Sequence, residues 1–87
     1  MNLQHLKKKL LYQSMRRSCK ELDILLGNFA KNFLMDFDLH STFFYAKLLN
    51  MQDYEIFNLI NQKIVIPKHL DNKVLQQLIL FNKINND

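Results

Sequence analysis

The sequence predicts an all-α fold, a small single-domain bundle of about five helices covering residues 1–87. Three observations predict it. One glycine and one proline in 87 residues are too few for a protein built from hairpins and tight turns, whose backbone angles need both. Apolar residues recur every three or four positions along most of the chain, the period of a helix with one buried face. Hydrophobic residues make up 48% of the chain, seven Phe among them, which is too apolar for a disordered segment and enough for a packed interior. A chain of 87 residues holds one such core and not two.

The helices follow in order, at roughly 3–15, 18–37, 39–50, 54–62 and 69–83. Leu3, Leu6, Leu10, Leu11 and Met15 give the first its apolar stripe, with Lys7, Lys8 and Lys9 falling mostly between them on a solvated face. Ser18-Cys19-Lys20-Glu21 then reads as a capping box, Ser18 accepting from the Glu21 amide while the Glu21 carboxylate reaches back to the Ser18 amide. Leu22, Leu25, Leu26, Phe29, Phe33 and Phe37 run along the inner face of the second helix, with Asn28, Lys31, Asn32 and Asp36 toward water. Gly27 interrupts it at a cost of about 1 kcal/mol relative to alanine, which marks the close approach of another backbone, most simply a neighbouring helix.

Asp38 is the N-cap of the third helix, Phe43, Phe44, Leu48 and Leu49 its apolar side, and Phe37 is placed to act as a staple. Asp53 caps a short fourth helix, with Glu55 in its positive first turn and Ile56, Phe57 and Ile60 inward. "KIVIP", Lys63 to Pro67, is β-branched, and the proline pushes Ile66 away from helical angles, so this is an extended connector. Leu70, Val74, Leu75, Leu78, Ile79 and Phe81 make the last helix.

Composition excludes several functions. Cys19 is the single cysteine and cannot form an internal disulfide, and His5, His40 and His69 are far from it and from one another, so no metal site is expected. No apolar run approaches the ~20 residues that span a bilayer. Six cations, Lys7, Lys8, Lys9, Arg16, Arg17 and Lys20, fall in the first twenty residues, which hold no acid. Such an end suits an acidic protein, a phosphate-bearing ligand or nucleic acid.

No catalytic residue emerges. Cys19 at a helix start beside Arg17 and Lys20 has surroundings that activate a thiol nucleophile, but no histidine lies within helical reach to serve as its base. Glu21 and Asp23, two apart, point to different sides of a helix. Gly27 stands alone and cradles no phosphate. A basic helix with Tyr12 among its lysines remains open as a small nucleic-acid-binding module, although no three side chains stand out as readers of base edges.

The stretch "KKKLLYQSMRRSCKELDILLGNFA" resembles the N-terminal signature of the SdhE family of FAD assembly factors, also called succinate dehydrogenase assembly factors. That signature is a basic stretch, Leu-Leu, a polar spacer, Arg-Gly-x-x-Glu, an acid, and a Leu-rich helix ending near a glycine. Arg17, Glu21, Asp23, Leu25, Leu26 and Gly27 occupy those places, and Ser18 stands where the family has glycine. "KLLNMQDYEIFNLI", Lys47 to Ile60, is similar to a second element of the family, so that the likeness covers most of Lys7 to Asn61.

The resemblance implies a five-helix bundle acting as a non-enzymatic chaperone. Such a protein binds the flavoprotein subunit of succinate dehydrogenase, in many bacteria also fumarate reductase, and promotes covalent attachment of FAD to a histidine of that client. No cofactor would be held stably by the chain itself. Arg16, Arg17, Ser18, Lys20 and Glu21 would form an exposed partner-binding patch, Arg17 as a fork donor to a carboxylate or carbonyl, so that Arg17→Ala would spare the fold. Ser18 is accepted at an N-cap as readily as glycine, while client affinity would change. The remaining expectations are no nucleic acid, no membrane insertion, a monomer when free, and a bacterial, cytoplasmic location. A mitochondrial presequence is disfavoured because the first helix runs straight into the motif.

Overall fold

The computed structural model describes residues 2–85. Five helices, α1 (Leu3–Ser14), α2 (Lys20–Phe33), α3 (Leu39–Leu49), α4 (Asp53–Ile60) and α5 (Lys73–Asn85), are joined with two 3-10 turns, Leu34–Asp36 and Lys68–Leu70. No strand occurs among the described residues. α1 lies on α2 and α3, and α5 closes the bundle against α2, α3 and α4.

The interior is organised on α2, where Leu22, Leu26, Phe29 and Ala30 are wholly buried at helical spacing. The Phe29 ring meets Phe33, Phe37, Tyr45 and Phe81 at centroid distances of 5.2, 6.1, 5.9 and 5.6 Å. It thereby joins three helices and the turn between them. A buried phenylalanine of this kind contributes about 3–5 kcal/mol against alanine.

α2 is shorter than its apolar period suggests. Phe33 leaves helical geometry at φ −127°, ψ −27°, the next three residues tighten into a 3-10 turn, and Phe37 is extended. The carbonyls freed at that end need partners. Lys7 supplies one: its Nζ donates to Met35 O at 2.7 Å and the residue is only 3% exposed. Lys7 therefore does not share the solvated face of Lys8 and Lys9, because a cation is favoured at the negative end of a helix and its apolar stem can be buried on the way there.

Asp38 caps α3 as the sequence predicts, its Oδ1 accepting from Ser41 N–H at 2.8 Å. The buried face is turned from the predicted one. Tyr45, Leu48, Leu49 and the small Ser41 and Thr42 face inward, while Phe43 is 52% exposed. Tyr45 can be buried because its hydroxyl is 2.7 Å from Ser14 Oγ. Ser14 gives its own proton to Leu10 O at 2.7 Å, so the tyrosine donates to the serine. Burial pushes the Tyr45 hydroxyl pKa up to about 12, against smaller opposing effects of Ser14 and the Arg17 charge.

The N-cap of α4 is Gln52 rather than Asp53, with Glu55 Oε1 accepting from Gln52 N–H at 3.2 Å. At its other end Lys63 N–H donates to Asn58 O and Gln62 N–H to Leu59 O, the paired bonds of a Schellman turn. Gln62 takes the left-handed position at φ 56°. The connector is irregular as expected, and α5 starts at Lys73 rather than near residue 69 because Lys68–Leu70 forms its own turn and Asn72 Oδ1 accepts from Val74 N–H at 2.8 Å.

Gly27 faces the end of α1. A Cβ there would lie 3.2 Å from Met15 Cγ and 3.9 Å from Met15 Cα, so the neighbour is chiefly a side chain at the helix exit, with its backbone just behind.

Candidate functional site at the α1–α2 turn

Between the end of α1 and the start of α2 the chain passes the C-terminus of α3 and the N-terminus of α4, where Arg17 turns inward. Its side chain is 12% exposed, and the paired Asp53 side chain 17%. Nε donates to Asp53 Oδ1 at 2.8 Å, Nη1 to Leu49 O at 3.1 Å and Nη2 to Met51 O at 3.3 Å. Nη2 also lies 2.6 Å from Asp53 Oδ1. The guanidinium thus satisfies carbonyls left free as α3 ends. The other Asp53 oxygen accepts from Ser18 N–H at 2.9 Å, Ser18 Oγ at 2.6 Å and Cys19 N–H at 3.3 Å. On the backbone side, Arg17 N–H is held by Asp23 Oδ1 at 3.0 Å.

This corrects two expectations. Arg17 is not an exposed fork awaiting a partner, because its donors already have carboxylate and carbonyl acceptors within the chain. Nor do Ser18 and Glu21 form a capping box. The N-cap of α2 is Cys19, Ser18 Oγ bonds Asp53, and the Cys19 thiol donates to Glu21 Oε2 at 3.3 Å. The carboxylate that steadies the entry into α2 comes from α4. Ser18 needs no glycine-like backbone, since Gln62 is the non-glycine residue with positive φ among those described. Its hydroxyl adds a bond that glycine lacks.

Both acids are held anionic. Partial burial of Asp53 works to raise its pKa, but bonds from Ser18, Arg17 and Cys19, with the Arg17 charge, outweigh it and keep the carboxyl below its ordinary range. Glu21 is lowered by the bond from its own N–H, then by the Cys19 thiol, with Lys20 assisting and slight desolvation opposing.

Arg16, Ser18, Lys20 and Glu21 are exposed. The Arg16 guanidinium sits 4.7 Å from the centroid of the Tyr12 ring, a cation–π contact that restrains a long side chain. A groove of roughly 900 Å³ opens here, with Arg16, Arg17, Ser18, Cys19 and Glu21 on one wall and Asn50 to Tyr54, Phe57 and Asn58 on the other. Lys20 does not line it. On the second wall, the sequence predicts Asp53 as a helix cap and Phe57 as core, and the local pattern gives no signal for Tyr54, which is 69% exposed. The groove offers a partner a cation, an anion, an exposed aromatic and several side-chain amides, groups suited to recognition.

Among the described residues no group of three or more His, Cys, Asp or Glu is placed to hold a metal ion, and no helix is long and apolar enough to cross a membrane. The basic cluster of the first twenty residues is thinner than its sequence suggests. Lys7 and Arg17 are turned into the protein, leaving Lys8, Lys9, Arg16 and Lys20 exposed, which weakens the nucleic-acid alternative.

Residues 8–82 match the family model described as "Flavinator of succinate dehydrogenase". The chain is similar to succinate dehydrogenase assembly factor 2-B, mitochondrial, of Drosophila willistoni, at 38% identity over 74 residues that cover 83% of this chain and 47% of that protein. It is likewise similar to succinate dehydrogenase assembly factor 2, mitochondrial, of Dictyostelium discoideum, at 38% identity over 74 residues, 85% of this chain and 52% of that one. The protein of that name from Schizosaccharomyces japonicus is 34% identical over 74 residues, with 84% and 52% covered. The chain spans about half the length of the curated relatives it matches. These relatives are eukaryotic and named mitochondrial, which overturns the expectation of a bacterial cytoplasmic protein.

Proposed function

The chain belongs to the flavinator of succinate dehydrogenase family, and on that premise we propose that it binds the flavoprotein subunit of succinate dehydrogenase and promotes covalent attachment of FAD to it. The chain acts as a chaperone and holds no flavin stably; the bond-forming groups belong to the client and its FAD.

The observation that carries this reading is the meeting of two sequence stretches. The segment around Arg16 to Glu21 and the segment around Asn50 to Asn58 are separated by some thirty residues, yet they form the two walls of one groove and are tied by Arg17 and Asp53. Those are the stretches that carry the family likeness. In this reading Arg16 and Glu21 present opposite charges to the client, Ser18 and Tyr54 add contact between them, and Lys20 acts at the margin. Arg17 positions the two walls.

Co-expression with the flavoprotein subunit, followed by pull-down and in-gel flavin fluorescence, tests it. A fluorescent client band that depends on the chain, and fades when Arg16→Glu and Glu21→Lys are introduced without loss of helical circular dichroism, is the expected result. Equal fluorescence with and without the chain refutes the reading.

A further inference from the structure

A second groove, of roughly 460 Å³, runs between α2 and α5 over the end of α4. Glu21 and Phe57 line both grooves, so the two meet at one point on the surface. The second differs in chemistry. Leu25, Phe57 and Phe81 are half-buried along it, and Ile24 is 56% exposed. Asparagines, among them Asn28, Asn61 and Asn85, stand along the rim. Among the described residues its lining includes no Lys, Arg or His, and Glu21 is the one charged residue. Lys63 Nζ lies 5.6 Å from the Phe57 ring centroid but does not line the groove.

Resting on the assembly-factor reading, we propose that this second groove receives an extended segment of the client flavoprotein, continuous with the surface docked in the first. An extended backbone presents N–H and C=O groups in alternation, and each must find a partner when water is removed. Each side-chain amide carries two N–H donors and an oxygen with two lone pairs, so although Asn61 and Asn85 donate to Phe57 O and Phe81 O and Asn61 Oδ1 accepts from Asn82, the rim keeps donors and acceptors for a backbone whichever way its groups point. The apolar floor takes one large aliphatic or aromatic side chain, the anchor such grooves use. Glu21, held anionic, selects a Lys or Arg next to that anchor. Nucleic acid and anionic lipid are disfavoured, because each calls for cations where this lining has an acid.

Photo-crosslinking with the flavoprotein subunit tests the assignment. p-Benzoylphenylalanine is placed at Ile24 in the second groove, or at Tyr54 in the first, in the full chain co-expressed with the subunit. The expected result is that Ile24 crosslinks to one contiguous stretch of the flavoprotein holding a basic residue beside a bulky apolar one. Crosslinks from Ile24 to a second copy of this chain, for instance to the exposed Lys63 to Val65 stretch of the connector, overturn the proposal. So do crosslinks scattered over several client surfaces, and so does silence at Ile24 while Tyr54 captures the flavoprotein. Silence at both positions overturns the assembly-factor reading as well. Independently, Ile24→Arg, at an exposed position, should leave the melting temperature unchanged and weaken capture about ten-fold or more; unchanged capture refutes the groove assignment.

Discussion

Arg17→Ala separates a structural arginine from a docking one. The substitution removes donors from Leu49 O and Met51 O and leaves Asp53 without its cation. Breaking a buried pair by deleting one partner costs about 3–5 kcal/mol. Here the side chains are 12% and 17% exposed, and Asp53 keeps its bonds from Ser18 and Cys19, so the lower end, about 3 kcal/mol, applies. For a domain of this size each kcal/mol moves the melting temperature by roughly 4–8 °C, which gives a fall of about 12–24 °C. Arg17→Lys restores the charge without the fork and should recover about half of the loss. Thermal unfolding followed by circular dichroism at neutral pH measures both, and a cycle with Asp53→Ala isolates the coupling. Should Arg17→Ala melt within about 3 °C of the parent, a shift expected of an exposed ion pair, the reasoning fails and Arg17 returns to the docking surface.

Gln62→Gly should stabilise the domain by about 0.5–1 kcal/mol, because a side chain at φ 56° carries a left-handed penalty of about 1 kcal/mol; a lowered urea midpoint refutes this. Gly27→Ala gains about 1 kcal/mol of helix propensity against a 3.2 Å contact with Met15 Cγ. Met15 is 40% exposed and free to swing, so a small net gain is expected, and a loss shows that Met15 is fixed. Tyr45, whose pKa rises on folding from 10.0 to about 12, contributes stability that is complete below about pH 10 and is lost as pH climbs toward 12, by roughly 2–3 kcal/mol. Urea unfolding at pH 9 and 11.5 should show this loss, and Tyr45→Phe should abolish it at a neutral-pH cost of about 1 kcal/mol.

Helix number, order and most inward residues are legible in the sequence because spacing of three or four reports which side chains share a face. The capping chemistry of α3 is legible for a similar reason, since Asp38 and Ser41 are local to one another. What local pattern cannot supply is a partner far along the chain. Arg16 and Arg17 are adjacent and chemically identical, and only the carboxylate of Asp53, brought across by the fold, distinguishes the one that turns in. Tyr45 reads as a polar-tipped aromatic until Ser14 of α1 arrives to satisfy its hydroxyl. Lys7 looks like its neighbours until the early end of α2 places Met35 O above it. In each case a polar group is buried because a distant element completes its hydrogen bonds.

The same geometry lets one short motif serve stability and, on the proposed reading, recognition as well. Residues 16 to 21 divide between inside and outside: Arg17 is drawn under α4, while Arg16, Ser18, Lys20 and Glu21 remain outside. Because Arg17 and Asp53 fasten the two walls of the groove, the surface exists only while the bundle is folded around that pair. A client that binds the assembled groove must therefore stabilise the fold, by about 2.7 kcal/mol when it is present at a hundred times its Kd. Conversely, the groove should loosen in acid. The lowered pKa of Asp53 means that its contribution is intact above the ordinary aspartate value of about 3.9 and is lost as pH falls through the lower folded-state value. On the proposed reading docking and folding are linked through one carboxylate, which sits in the second stretch of the family likeness while its arginine sits in the first.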